Sequence, residues 1–229
     1  MQVNESQDAA TPSVRQWLRS IEVFTGELAQ FDPEAVPDDP IGLFLDWLRD
    51  AIAAGAPDPH SMTLSTVDED GRPDARVLIL KNVDAHGWQL GANLASPKGR
   101  QLTARSYAAL TFYWPSLGRQ VRVRGAVIAQ SPEQSAADLL ARSPSARAEA
   151  LLGRQSSHLD SLETRDAELK ASLARVEADP ELVTPLWRLY TVAAAEIEFW
   201  QAAKDRKHNR VRYERERGDG SWQRHLLWP

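Results

Sequence analysis

EIEFWQAAKDRKHNRVRY, residues Glu196 to Tyr213, contains two predicted strands joined by a short polar loop. Apolar residues alternate with polar ones before Trp200, and a second strand is predicted from Val211. Successive side chains of an extended segment point to opposite faces, so every second residue lies on one side. Three hydrogen-bond donors beside a tryptophan predict a site for a flat, anionic ligand. The alternative interpretation of the same residues is an exposed hairpin edge whose basic side chains discourage pairing with another strand. The donors are Arg206, His208 and Arg210.

The segments before this hairpin predict a small antiparallel sheet. The connections between them are too short for helical crossovers, so the strands should pair mainly antiparallel. Further strands are expected between Trp187 and Leu227, and together they predict a closed or nearly closed barrel. Alternation with a period of two, interrupted by turn residues, indicates the earlier strands near residues 62–66, 75–83, 88–92, 108–114 and 120–128.

Helices are predicted around the barrel segments. Asp39 is placed to cap a helix that begins at Pro40 and carries an apolar stripe. A short helix should follow Ser96, and residues 132–178 predict a helical insertion. The chain therefore divides into a flexible N-terminal arm, residues 1–38, and a barrel domain, residues 39–229.

The composition excludes several classes of function. The 229-residue chain has a net charge of −5 and a pI near 5.6, which argues against nucleic-acid binding. It has no cysteine, and its five histidines lack metal-ligand spacing, so no metal site is expected. No apolar run approaches the roughly 18 residues that a membrane span needs, and no signal-peptide core is recognisable. We expect a cytoplasmic protein without a membrane partner.

Several motifs, taken in order, resemble the pyridoxamine 5′-phosphate oxidase family of FMN-binding split barrels. They are DPIGLFLDW, TVDEDGRPDARVLILK, SPKGRQL, FYWPSLGRQVRVRG, RQSS, IEFWQ with RKHNR, and HLLWP, between Asp39 and Pro229. The resemblance implies a fold that is mainly β with helical additions: an antiparallel split β-barrel with an N-terminal helix and a helical insertion. It also implies FMN as the cofactor, bound at the interface of a homodimer.

The resemblance also implies which residues contact the flavin. A phosphate dianion needs fixed cations and backbone donors, and Arg76 matches the family residue that grips it. Lys98 lies near a helix N-terminus, where its charge and the free amides suit a phosphate. The flavin ring needs apolar walls with a few donors, which the strand after Arg76 would supply. The implied cofactor set is Arg76, Val77, Leu78, Ile79, Leu80, Lys81, Ser96, Lys98, Gln120, Gln155, Ser156, Trp200 and Arg210.

Two departures from the family concern the cofactor. Gly91 and Ala92 stand where the family has a tyrosine and a threonine, and Pro97 stands where it has an arginine. Both changes remove contacts to the flavin phosphate or ribityl chain. Weaker FMN binding is therefore expected unless Arg100 or Arg119 substitutes.

The substrate side departs further. In the family, a lysine and three residues of the insertion, namely a tyrosine, an arginine and a serine, hold the substrate phosphate. Lys81 matches the lysine, and Arg142 or Arg147 would restore one positive charge. A phosphate buried here would be poorly paired, which is costly. The other three family residues are aligned with Leu139, Ser143 and Arg147.

Arg206 and His208 match residues that flank the substrate in the family. FTGELAQFDPEAVPDDP and RQSSHLDSLE resemble the branch that oxidises dihydro-aromatic intermediates of phenazine biosynthesis. We therefore predict an FMN-dependent oxidase that takes a hydride from an amine-bearing or dihydro-aromatic ring and passes electrons to O₂. Arg206 would orient an anionic substituent, and His208 would orient the substrate or move a proton. The predicted substrate contacts are Lys81, Arg142, Arg147, Arg206 and His208.

Two alternatives stay open. The first is a pyridoxine/pyridoxamine 5′-phosphate oxidase of vitamin B6 metabolism. The second is a flavin-binding carrier or sensor without catalysis, against which the retained donors at Arg206 and His208 argue.

Overall fold

The computed structural model describes residues 13–215 and 220–229. The strands are β1 Ser61–Val67, β2 Pro73–Ile79, β3 Asn82–Asp84, β4 Gly87–Asn93, β5 Tyr107–Trp114, β6 Arg119–Ala129, β7 Trp187–Gln201, β8 Asn209–Glu214 and β9 Gln223–Leu226. The helices are α1 Val14–Ser20, α2 Pro40–Ala53, α3 Pro97–Ala104, α4 Pro132–Leu140, α5 Pro144–Leu152 and α6 Leu162–Ala178. None of these helices is long and apolar enough to cross a bilayer.

The strands form one curled antiparallel sheet that branches at β7. Its order is β2-β1-β5-β6-β7-β4-β3, and β8 also pairs with β7 before pairing with β9. Because β6 pairs along most of β7, the opposite edge of β7 is shared by β4 at its start and β8 at its end. The 15 residues of β7 make room for both neighbours. The mainly β, antiparallel fold predicted from the sequence is confirmed.

One glycine is required at the bulge where the pairing of β6 with β7 shifts register. The β6–β7 register shifts between Arg124 and Gly125. A Cβ atom on Gly125 would lie 1.9 Å from the backbone oxygen of Ala193. The absence of a side chain at this bulge therefore allows the two strands to stay in close contact.

Helix α2 packs its apolar stripe against the curled sheet. Asp39 caps it by accepting hydrogen bonds from the backbone N–H groups of Ile41 and Gly42, as the sequence predicts. Its apolar stripe is buried, and the ring of Phe44 is fully inaccessible to solvent. That ring contacts the rings of three residues from β4 and β5, with centroids 4.9 to 6.5 Å apart: Trp88, Phe112 and Trp114. The aromatic contacts fix the helix on the sheet.

The predicted helical insertion is confirmed as α4, α5 and α6. Each helix is capped by the serine just before it, whose side chain accepts a hydrogen bond from a backbone N–H of the first turn: Ser131, Ser143 and Ser161. Leu139, Ala150 and Trp187 form a small apolar cluster separate from the main core. This cluster joins the insertion to the start of β7.

Part of the segment before Asp39 packs on the barrel. Phe31 lies edge-on to Trp47, with 4.9 Å between ring centroids. Residues of β8 and β9 donate hydrogen bonds to its backbone: Asn209 to Phe31, Tyr213 to Pro37 and Arg224 to Val36. Burial raises the pKa of Tyr213 to about 12, so its hydroxyl remains a donor. The first twelve residues of the predicted arm lie outside the described residues.

Replacing Phe44 by alanine should lower the free energy of unfolding by about 3–5 kcal/mol, because it leaves a cavity between α2 and the sheet. Urea unfolding followed by tryptophan fluorescence measures the change. Ile52→Ala is the matched control, since Ile52 lies on the same helix and is 59% exposed. Its expected effect is within about 0.5 kcal/mol. Equal losses in the two variants would contradict the packing described for α2.

Candidate functional site

A cleft of about 490 Å³ lies between β2, β4, α3 and the insertion. Strand β2 ends the sheet, so one edge of its backbone has no strand partner among the described residues. Val77 and Ile79 on this strand are 66% and 44% exposed. The cleft thus combines free backbone donors and acceptors with an apolar wall. Seven of the predicted site residues line it: Val77, Leu78, Ile79, Lys81, Lys98, Arg142 and Gln155.

Positive charge gathers near α3 at one side of the cleft. Burial lowers the pKa of Lys98, the nearby charge of Arg76 lowers it further, and Glu149 opposes the shift. Arg76 is held by hydrogen bonds to Thr66, Gln101 and Asp74. An anion bound here would relieve the repulsion between the two cations.

The serine and glutamine positions of the predicted flavin set have different environments. The buried hydroxyl of Ser96 donates to the backbone oxygen of Asn93 and accepts from Gly99 N–H, so it caps α3. Gln155 donates to Glu149, while its own Oε1 is buried without a partner among the described residues. Ser156 is exposed, with a positive φ of 66°. Gln155 therefore lines the cleft and has a buried acceptor that is not yet satisfied by the described residues.

Acidic residues pair with the cations at the other side of the cleft. The Lys81 ammonium lies 3.4 Å from Asp138 Oδ1, and Asp138 Oδ2 accepts a 2.8 Å hydrogen bond from the indole N–H of Trp187. The Arg142 guanidinium stacks over the Trp187 ring at 4.2 Å and lies 3.9 Å from a Glu149 oxygen. Charge at this side of the cleft is thus balanced within the chain.

The position of the Trp187 ring requires a glycine at position 91. A Cβ atom on Gly91 would lie 2.4 Å from the Trp187 ring. The indole therefore occupies space above β4 that a side chain at position 91 would fill. This packing explains why glycine stands at position 91, where the resembled family has a tyrosine.

The insertion meets the cleft one residue earlier than the sequence alignment predicts. Leu139 is fully buried in the small apolar cluster, and Arg147 donates to the backbone oxygens of Pro180 and Leu182. Arg147 therefore does not reach the cleft, contrary to the sequence prediction, because its guanidinium ties α5 to the loop after α6. Ser143 lies at the rim as the cap of α5. Arg142 and Ala146 line the cleft at a spacing of four, and Asp138, four residues before Arg142, pairs with the lining residue Lys81.

A second cluster surrounds Trp200 at the far end of β7. The His208 ring lies 4.9 Å from the Trp200 ring, and the Phe24 ring contacts both. His208 Nδ1 accepts a hydrogen bond from Ala203 N–H, which leaves the proton of a neutral imidazole on Nε2. Gln120 pairs with Trp200 across the β6–β7 ladder. An imidazole of fixed tautomer thus lies against aromatic rings.

The predicted alternation of Arg206, His208 and Arg210 on one extended face is not observed. Arg206 lies in a turn with a φ of 65°, and β8 begins only at Asn209. The Arg206 side chain is exposed, whereas Arg210 is held by the buried carboxylate of Glu198 through two hydrogen bonds of 3.0 and 2.7 Å. Arg206 is thus free to meet a ligand, and Arg210 has a partner in its own chain.

The two clusters lie at opposite ends of β7. Trp187 borders the cleft at the first residue of this strand, and Trp200 is its last residue but one. A strand of 15 residues extends roughly 45 Å at 3.2–3.4 Å per residue. None of the residues that line the cleft belongs to the Trp200 cluster. The described residues also contain no group of three or more acidic or histidine side chains placed to bind a metal.

Two family models match the chain. One, described as pyridoxamine 5′-phosphate oxidase, matches residues 48–186. The other, described as the pyridoxine 5′-phosphate oxidase C-terminal dimerisation region, matches residues 187–229. The boundary between them coincides with the start of β7.

Individual proteins give the same result. The chain is 40% identical to the pyridoxine/pyridoxamine 5′-phosphate oxidase of Pseudomonas fluorescens over 195 residues, which cover 84% of this chain and 90% of that protein. It is 41% identical to the oxidase of that name from Hyphomonas neptunium over 206 residues, covering 88% and 93% of the two chains.

Solved structures extend the comparison to the fold. PhzG from Burkholderia lata, crystallised with tetrahydrophenazine-1-carboxylic acid, is 30% identical with a TM-score of 0.82, covering 89% of this chain and all of PhzG. An FMN-binding protein from Nostoc punctiforme shares the fold at 17% identity and a TM-score of 0.67, covering 83% and 98%. The split β-barrel prediction is confirmed, and the chain belongs to the pyridoxamine 5′-phosphate oxidase family.

Proposed function

We propose that this protein is an FMN-dependent oxidase that takes a hydride from an amine-bearing or dihydro-aromatic ring and passes the electrons to O₂. The observation that carries the proposal is the cleft beside β2, which joins an apolar wall to the half-buried ammonium of Lys98 and the nearby guanidinium of Arg76. Membership of an oxidase family supports the reaction type. The tetrahydrophenazine carboxylic acid bound by PhzG supports a ring substrate of the phenazine type.

The residues of the cleft fit a flavin mononucleotide. Its phosphate would bind near Lys98 and Arg76, two cations that lie close enough to lower the pKa of Lys98 beyond the effect of its burial. Its ring would lie along β2, whose free backbone edge offers donors and acceptors. The buried, unpartnered Oε1 of Gln155 would accept a hydrogen bond from a ring N–H. Such a ligand would supply the hydrogen-bond partner that Gln155 Oε1 lacks.

A second copy of the chain would complete the site. The Trp200 cluster lies at the opposite end of β7 from the cleft, which is too far for one ligand to contact both within one chain. The C-terminal match to a dimerisation region covers β7, β8 and β9. A homodimer in which each cleft faces the partner's Trp200 cluster brings the two halves together. FMN would then lie between the subunits.

The chain's own residues bind and orient the substrate. Bound FMN supplies the redox chemistry, by accepting a hydride and returning the electrons to O₂. The exposed guanidinium of Arg206 would hold an anionic substituent of the ring. The neutral imidazole of His208 would present its Nε2 proton, since Nδ1 is occupied by Ala203 N–H. The Trp200 and Phe24 rings would exclude water around these donors.

The structure of the insertion favours a substrate without phosphate. Leu139 and Arg147 point into packed regions, and Ala146 at the cleft has no hydroxyl. Oxidation of pyridoxine 5′-phosphate remains the second candidate function, because the relatives that are about 40% identical bear that name. Hydrogen peroxide release from a dihydrophenazine carboxylic acid and from pyridoxine 5′-phosphate compares the two. Efficient turnover of the phosphate ester alone would contradict our proposal, and peroxide from neither would favour a non-catalytic flavin protein.

Lys98→Gln should weaken FMN binding by ten-fold or more, as expected when a charged hydrogen bond of about 1.5–3 kcal/mol is lost. Titration of the apoprotein with FMN, followed by quenching of flavin fluorescence, measures the dissociation constant. Lys170→Gln is the matched control, because Lys170 is exposed on α6 away from the cleft. Unchanged affinity in Lys98→Gln would exclude this side of the cleft as the phosphate site.

Arg206→Ala should leave the bound flavin in place but abolish turnover, because the exposed guanidinium contacts the substrate and not the cofactor. The flavin content of the purified dimer and the rate of peroxide release are measured together. Lys207→Ala serves as the control, since Lys207 is adjacent and 85% exposed. Loss of flavin in Arg206→Ala would instead assign this residue to the cofactor pocket.

A further inference from the structure

Asp138 contacts two residues that line the cleft, and these come from different parts of the fold. Its Oδ1 lies 3.4 Å from the ammonium of Lys81, which follows β2. Its Oδ2 accepts the indole hydrogen bond of Trp187, at the start of β7. The carboxylate is 14% exposed and the lysine side chain 28%. Asp138 therefore has a fixed position, and its charge is only partly screened by water.

The cations around Asp138 are already paired. Lys81 and Arg142 are the positively charged side chains at this side of the cleft, and each has an acidic partner within 4 Å. Arg142 is further held by stacking on Trp187. A ligand that arrives here meets two positive and two negative charges.

This balance has a consequence for a phosphorylated ligand. A phosphate dianion next to Lys81 would lie close to the Asp138 carboxylate, and like charges at short range in a partly buried site repel strongly. Breaking the Lys81–Asp138 pair would leave the carboxylate without its counter-ion. Discrimination between ligands often comes from such a repulsive element as well as from attractive contacts.

We infer that Asp138 is a specificity-determining residue, which rejects phosphorylated rings by holding Lys81 and by placing a negative charge at the substrate side of the cleft. The inference deepens the proposed function and rests on it, since it concerns the ring that lies against the flavin. The ring accepted at this side is one whose edge near Lys81 carries no phosphate.

The test compares pyridoxal 5′-phosphate with pyridoxal, two ligands that differ by one phosphate group. Binding to the FMN-loaded protein is followed at the long-wavelength edge of the flavin absorption band, because pyridoxal compounds and the imines they form with surface lysines absorb at shorter wavelengths. In the wild-type protein the phosphorylated ligand should bind no more tightly than pyridoxal. In Asp138→Asn, which keeps an acceptor for Trp187, the ratio of the two affinities should shift by roughly ten-fold towards the phosphate.

Two further variants make the result specific. Asp138→Glu keeps the charge and should retain the wild-type ratio. Asp46→Asn removes an exposed carboxylate from α2, outside the cleft, and should also leave the ratio unchanged. A wild-type protein that binds pyridoxal 5′-phosphate more tightly than pyridoxal, or an unchanged ratio in Asp138→Asn, would overturn the inference. Failure to load FMN would instead refute the proposed function, so the two results are distinguishable.

Discussion

The length of β7 determines how this molecule can form a binding site. A strand of 15 residues pairs with β6 along most of its length and with two different strands on its other edge. Its first residue borders the cationic cleft, and its penultimate residue carries the aromatic cluster. Because the strand is rigidly held in the sheet, one chain cannot bring its two ends together. In the proposed homodimer each end would be half of a site, and a two-fold dimer is the simplest arrangement that joins unlike halves.

Charge within the cleft gives each side a different role. Lys98 and Arg76 place two cations beside α3, where we propose that the phosphate of FMN binds, and Arg76 also pairs with Asp74. At the other side, each cation has an acidic partner, so a second anion gains little there. A ligand with one charged tail and a neutral ring matches this distribution. In the proposed function, the two sides of the cleft would separate the binding of a phosphate tail from the selection of a ring.

The sequence predicted the fold well because the fold depends on local signals. The Asp39 cap, the apolar stripe of α2 and the period-two strands are each encoded within a few residues, and the structure has all three. The site was harder to predict because its side chains act through distant partners. Arg210 donates hydrogen bonds to Glu198, and Arg147 donates to two backbone carbonyl oxygens near residue 181. Arg206 lies in a turn because of its positive φ, which no nearby residue in the sequence predicts. Asp138 was missed, although its spacing of four from Arg142 was visible once the helix register was known.

The central claim is that each site draws on two chains, and hybrid dimers test it most directly. Two differently tagged variants, Lys98→Gln and Arg206→Ala, would be co-expressed, and the mixed dimer isolated and assayed at an FMN concentration that saturates the wild type only. If the cleft of one chain meets the Arg206 turn of its partner, one of the two sites carries neither substitution. The hybrid should then regain about half of the wild-type activity. Activity no higher than that of the parent variants would contradict the account.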